Sequence, residues 1–159
     1  MIIRHNCGIC IAKHIYIMEK SVKIFIVDDD LFTLNLYRQT IENFGFENIS
    51  LFLNGTICLN SLDQKPSLIF LDHNMDDLTG FEVLKKIKRY DPNIYVVIVS
   101  AQENMNIAID SLKYGAFDYI IKGDNVEEKM KLVIKKIDVV EEQLKKLNPT
   151  LIQKLLSIF

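Results

Sequence analysis

The sequence predicts an α/β fold, a doubly wound parallel sheet with helices on both faces. Three observations lead there. Short apolar runs alternate with amphipathic stretches five times between residues 22 and 147, the order of repeated strand–helix units. Gly45, Pro66, Pro92 and Gly115 fall between those stretches, where elements should end. The apolar runs are short and nearly unbroken, as in strands covered on both faces.

The first strand is read over about 22–27, Val22-Lys23-Ile24-Phe25-Ile26-Val27. A helix follows over about 31–44, with Leu31, Leu34, Leu36, Tyr37, Ile41 and Phe44 as its apolar face, and Gly45 closes it. The second strand is placed at about 48–53, and a short helix at 55–63 turns Ile57, Leu59 and Leu62 inward. The third strand ends at Asp72, and the loop behind it holds Asp76, Asp77 and Thr79, all good turn or N-cap residues. A third helix spans about 80–90, with Phe81, Val83, Leu84 and Ile87 as core candidates. The run Ile94-Tyr95-Val96-Val97-Ile98-Val99 is the most β-branched in the chain and reads as a central strand, ending in Ser100-Ala101. Helix four covers about 103–113, the fifth strand is Phe117–Ile121 and ends in Lys122, and the last helix runs from near Asn125 to about 147.

A chain of 159 residues with 49% hydrophobic and 25% charged content suits one domain with a sizeable core. The net charge of −2, without a basic stripe, argues against direct nucleic-acid binding. Three cysteines make no disulfide framework and suggest a reducing cytoplasm. Residues 1–20 read as a loose leader, too short and interrupted for a membrane span and without the apolar core of a secretory signal. Met18 runs straight into the first strand, so residues 1–17 read as dispensable. Cys7-Gly8-Ile9-Cys10 has metal or redox spacing but lacks a second pair. The domain proper is taken as 21–147, and 148–159 as an amphipathic tail that folds back on the core by default.

Ligands of a doubly wound sheet bind at the carboxyl ends of its strands. Here those ends are Asp28-Asp29, Asp72, Ser100 and Lys122. Acids gathered at one edge repel, and a cation, a raised pKa or a lysine partner must relieve them. Mg²⁺ is the simplest relief, being a hard ion that prefers oxygen. Carboxylates, a hydroxyl and an ammonium on one edge are the parts of a phosphoryl-transfer site. Asp30 reads as the N-cap of the first helix, His73 as a solvent-facing loop residue, and Cys58 as plain packing.

The stretches IFIVDDD, LIFLDHNMDDLTGFEVLKKI, VVIVSA and GAFDYIIK, in this order and spacing, resemble the receiver domain of bacterial two-component response regulators over about 22–145. The resemblance implies a flavodoxin-like sheet of five parallel strands in the order 2-1-3-4-5. It implies that Asp72 is the phosphoacceptor, taking its phosphoryl group from a phosphohistidine of a sensor histidine kinase or phosphotransfer protein. Asp29 would ligate Mg²⁺ (or Mn²⁺ in its place) directly, Asp28 largely through water, and Asn74 through its backbone carbonyl. Ser100 and Lys122 would bind phosphoryl oxygens, and Tyr119 would turn inward when Ser100 moves. Asn74 and Gln102 match positions that set the phosphoryl lifetime, and neither is charged. Two residues depart from the family pattern. Asp76 stands where most receivers have proline, and Gly123 replaces the proline after the lysine, which disfavours the cis peptide common there.

The chain therefore reads as a stand-alone, chemotaxis-regulator-like receiver in the cytoplasm. It would signal by protein contact or pass its phosphoryl group onward in a phosphorelay, with the helix 4–strand 5–helix 5 face open to a homodimer, and touch neither membrane nor nucleic acid. Two alternatives stand beside this. A haloacid-dehalogenase-type phosphatase would use Asp28 and Asp30, but leaves Asp72 without a task. A pseudo-receiver would keep the fold as a docking module and never be phosphorylated.

Overall fold

The computed structural model describes residues 20–101 and 104–147. The Cys7–Cys10 pair, the leader through residue 19, Gln102 and the tail 148–159 lie outside the described residues. The elements, in chain order, are β1 (Ile24–Val27), α1 (Leu31–Asn43), β2 (Ile49–Phe52), α2 (Gly55–Asn60), a 3₁₀ turn (Leu62–Gln64), β3 (Leu68–Asp72), α3 (Gly80–Tyr90), β4 (Tyr95–Ser100), α4 (Met105–Lys113), β5 (Asp118–Ile121) and α5 (Val126–Leu147). The strands form one sheet in the order β2-β1-β3-β4-β5, and every pairing is parallel. Fold class and strand order are those expected from the sequence.

Alternation along the strands divides the core in two. Ile24, Ile26, Leu68, Phe70, Val97 and Val99 pack with Leu34, Tyr37 and Ile41 of α1 and Met130, Val133, Ile134 and Ile137 of α5. Phe25, Val27, Ile69, Leu71, Val96 and Ile98 point the other way, onto Cys58 of α2 and Val83, Leu84 and Ile87 of α3. Both faces of β1, β3 and β4 are thus covered, which is why their sequences are apolar up to the polar residue at or just past each carboxyl end. Two residues depart from the expected faces. Leu31 is 61% exposed and Ile57 49% exposed. Leu31 sits in the first turn of α1, before that helix reaches the core, whereas α2 turns Gly55 and Cys58 inward in place of Ile57.

Capping fixes where the helices begin. Asp30 accepts the amides of Phe32 and Thr33 at 3.2 and 3.1 Å, as expected of an N-cap. Thr79 and Glu82 form a reciprocal capping box at the start of α3, a feature worth about 1 kcal/mol. Gly45 and Gly115 adopt φ of +89° and +95° after α1 and α4, a region that favours glycine. In contrast, α4 is lightly packed. Ser111 is its one fully buried residue, while Met105, Ile109 and Leu112 are exposed.

The first residue of α3 rests directly on the end of β3. A Cβ added to Gly80 would lie 2.3 Å from the Asp72 carbonyl oxygen and 2.8 Å from the His73 Cα. Both neighbours are backbone and cannot step aside. Gly80→Ala is therefore expected to lower stability by about 1–3 kcal/mol, measured by urea unfolding, through the overpacking it forces.

Candidate functional site

The carboxyl ends of β1, β3, β4 and β5 meet along one edge of the sheet. Val27 pairs with Leu71, Asp72 with Val99 and Ser100 with Ile121, so Asp28, Asp72, Ser100 and Lys122 end neighbouring strands at one level. Backbone bonds carry the ladder past the strands: Asp28 N–H donates to Phe52 O (3.1 Å), His73 N–H to Val99 O (3.1 Å) and Lys122 N–H to Ser100 O (2.7 Å).

At the centre of this edge, the Lys122 ammonium bridges two buried acids. Its Nζ stands 2.7 Å from Asp28 Oδ2 and 2.6 Å from Asp72 Oδ1, with the two carboxyl side chains 2% and 4% exposed. The remaining oxygens accept backbone amides: Asp28 Oδ1 from Asp30 at 3.0 Å and Asp72 Oδ2 from Asn74 at 2.7 Å. Burial pushes the Asp72 carboxyl above its usual range. The hydrogen bond and charge of Lys122 pull it back, the Asp28 charge pushes it up again, and the Asn74 amide pulls down. Burial alone would lower the Lys122 pKa, but its hydrogen bonds and charge attraction to Asp28 and Asp72 outweigh that and raise it. The ammonium is a fixed positive charge holding two carboxylates side by side.

Of the residues singled out in the sequence, Asp28, Asp72 and Lys122 are in contact, and Ser100 is fully buried on the adjoining strand end. Asp29 is exposed, and among the described residues no three acids, histidines or cysteines close into a metal-holding group. The available donors are still those a hard cation takes. They are the carboxylates of Asp28, Asp29 and Asp72 and the carbonyl of exposed Asn74, oxygen throughout. Tyr119 is half-buried against the face that holds Ile98 and lines a cavity of about 400 Å³ with Asn104, Met105, Ala108 and Ile121.

Three features were missed or misread in the sequence. His73, expected to face solvent, is only 9% exposed, because its amide extends the β3–β4 ladder and its carbonyl takes the Gly80 N–H at 2.9 Å. Its Nδ1 is buried without a hydrogen-bond partner, and burial lowers the imidazole pKa. Asp77, read as a turn or N-cap residue of its own loop, caps the amino end of the preceding helix α2 instead. Only the Thr79-Gly80 pair, a cap followed by a residue without a side chain, hinted at how closely α3 meets Asp72. After Lys122 the chain turns through Gly123 at φ +133°, with no cis peptide among the described residues, as the glycine implied.

Lys122→Met leaves two buried carboxylates facing each other. Removing one partner of a fully buried pair costs ~3–5 kcal/mol, and since the Lys122 side chain is 23% exposed the expected loss is smaller, about 1–3 kcal/mol. Urea unfolding at neutral pH without divalent cations measures it, and adding Asp72→Asn to Lys122→Met should recover most of the loss.

Comparison with known proteins agrees with this geometry. The pattern that defines the response regulator receiver domain matches residues 24–134. The chain is 31% identical over 102 residues to the chemotaxis protein CheY of Listeria monocytogenes, covering 64% of this chain and 86% of CheY. It is 34% identical over 104 residues to the transcriptional regulatory protein ZraR of Klebsiella oxytoca, covering 65% of this chain but 23% of ZraR. Among solved structures, a CheY-like receiver domain protein from Methanospirillum hungatei superposes with a TM-score of 0.70 at 26% identity, over 77% of this chain and 98% of the other. A chain of the CheX–CheY–BeF3–Mg²⁺ complex from Borrelia burgdorferi gives 0.67 at 25% identity, over 73% and 88%. With its strand order, its bridged acids and this match across most of its length, the chain belongs to the response regulator receiver domain family.

Proposed function

We propose that the chain is a phosphoacceptor switch, in which Asp72 takes a phosphoryl group from a phosphohistidine of a sensor histidine kinase or phosphotransfer protein. Receiver domains are signalling domains rather than enzymes in the usual sense, and the family generally binds Mg²⁺ in its acidic pocket. The observation that supports the reading is the lysine ammonium held between two buried carboxylates at the edge where the family places its chemistry.

An Asp72 carboxylate oxygen attacks phosphorus, the bond from phosphorus to the donor imidazole breaks, and the imidazole leaves with its electron pair. The product is an acyl phosphate on Asp72. Lys122, already on Asp72 Oδ1, can pass its hydrogen bond to an incoming phosphoryl oxygen as charge arrives there. The Ser100 hydroxyl offers a second donor from the neighbouring strand. Asn74 N–H holds the other carboxylate oxygen, which presents the acceptor in one orientation. Asp28, Asp29, Asp72 and the Asn74 carbonyl would hold Mg²⁺. When bound, the ion supplies neutralising charge for the acids and the phosphoryl oxygens.

Output follows from the added charge. Drawing Ser100 toward the phosphoryl group makes room for Tyr119, whose ring borders the cavity beside α4. The exposed Met105, Ile109 and Leu112 of α4 and Leu132 of α5 flank β5, and we read this face as the dimer or partner surface. No helix among the described residues is long and apolar enough to cross a membrane, and we place the protein in the cytoplasm on the family's usual setting.

Incubation with Mg²⁺ and acetyl phosphate should add one phosphoryl group to Asp72, seen by intact-mass and peptide mapping. Asp72→Ala or a chelator should abolish it. A label on Asp28 with continuous phosphate release would point instead to a phosphatase, and complete inertness to a docking module. Under the same phosphorylating conditions, sedimentation should show stronger self-association, which Met105→Asp or Leu112→Asp should weaken.

A further inference from the structure

Asp77 sits in the loop between β3 and α3 but caps the helix before it. Its Oδ1 accepts the Gly55 amide at 3.1 Å and its Oδ2 the Thr56 amide at 2.8 Å. The next amide, Ile57, goes to Asn54 at 2.8 Å, so two side chains share the amino end of α2 between them. A helix of six residues has little stability of its own, and its anchor matters accordingly. The loop lies flush on that anchor. A Cβ on Gly55 would stand 2.4 Å from Val83 Cγ2 and 3.5 Å from both Leu78 Cβ and Met75 Cε. Met75 itself is 7% exposed and belongs to the core that holds Cys58 and Val83.

This same loop carries Asn74, whose amide holds the acceptor carboxylate. The span from Asp72 to Gly80 is pinned at three places: Asn74 N–H on Asp72, Asp77 on α2, and Gly80 N–H on the His73 carbonyl. Asp76, immediately before the middle pin, is not a proline, so no ring fixes φ there. The Asp77 tether crosses 22 residues of sequence to Gly55 and restrains the loop from outside instead.

We propose that Asp77 is a positioning residue for Asp72: by clamping the loop to the amino end of α2 it fixes Asn74, which orients the acceptor carboxylate and offers its carbonyl to the cation. This rests on the phosphoacceptor reading given above. The hydrogen bonds of Asp77 run to Gly55, Thr56 and Leu78, and none to Asp72 or Lys122, so it acts through the backbone between them. Although burial raises its pKa, the amide and hydroxyl of Thr56 and the amides of Gly55 and Leu78 bring it down to about 2, so the clamp is charged at neutral pH.

The test compares Asp77→Ala with Asn54→Ala, which removes the other cap of the same helix end and leaves both Asp77 bonds in place, and with Asp77→Asn, which keeps one acceptor oxygen. Asp77→Ala should weaken Mg²⁺ binding, measured calorimetrically, by about tenfold, and slow acetyl phosphate labelling at saturating Mg²⁺ by about tenfold. Asn54→Ala should leave both within about twofold, and Asp77→Asn should restore part of each loss. Hydrogen exchange at the Asn74 amide should quicken in Asp77→Ala and hold in Asn54→Ala. Equal effects from the two alanine variants, or unchanged exchange at Asn74 in Asp77→Ala, would overturn the positioning role. A wild-type protein that takes no phosphoryl group, with Asn74 exchange still governed by Asp77, overturns the phosphoacceptor reading and leaves the clamp standing.

Discussion

Two carboxylates buried on adjacent strand ends cannot both stay ionised without a positive charge between them, and the rest of this structure is arranged around that requirement. Lys122 supplies the charge from β5, at the opposite side of β4 from Asp72. To reach it, the sheet must place β1 and β3 side by side and bring the end of β5 level with them, which the strand order does. The lysine is in turn held by its own backbone amide on the Ser100 carbonyl. Acceptor, hydroxyl and ammonium are therefore set by one continuous ladder rather than by mobile loops.

That ladder explains why so much was legible in the sequence. A strand buried on both faces must be apolar, and the first polar residue after it must lie at the edge. The sequences of β1, β3 and β4 therefore announce both the sheet and Asp28, Asp72 and Ser100. Asp30, Thr79 and the two closing glycines were readable because capping and left-handed turns are local chemistry. The expected strand order placed Lys122 on the same edge as Asp72, across β4 from it, so the two could be anticipated within reach of one another.

What escaped the sequence was non-local. Nothing near His73 says that the ladder continues through it and buries its ring. Asp77 looks like any loop acid, since its partners belong to a helix that has already ended. Leu31 obeys a helical period yet faces solvent, because periodicity fixes the face of a helix and not how far along its length the core extends, while the buried face of α2 runs through Gly55 and Cys58 and leaves Ile57 outside. Asp29, beside a residue that is fully buried, is exposed because successive residues leaving a strand point in opposite directions.

The sparse anchoring of α4 has a thermodynamic side. With Ser111 as its one buried residue, α4 gives up little apolar contact when it shifts or frays. Elements of that kind occupy the low end of a domain's local stability. A few kcal/mol of differential binding would then repopulate its conformations, while β3 and β4, sealed by both cores, stay where they are. A charge written on a strand sealed on both faces would be read on a helix held by one buried residue.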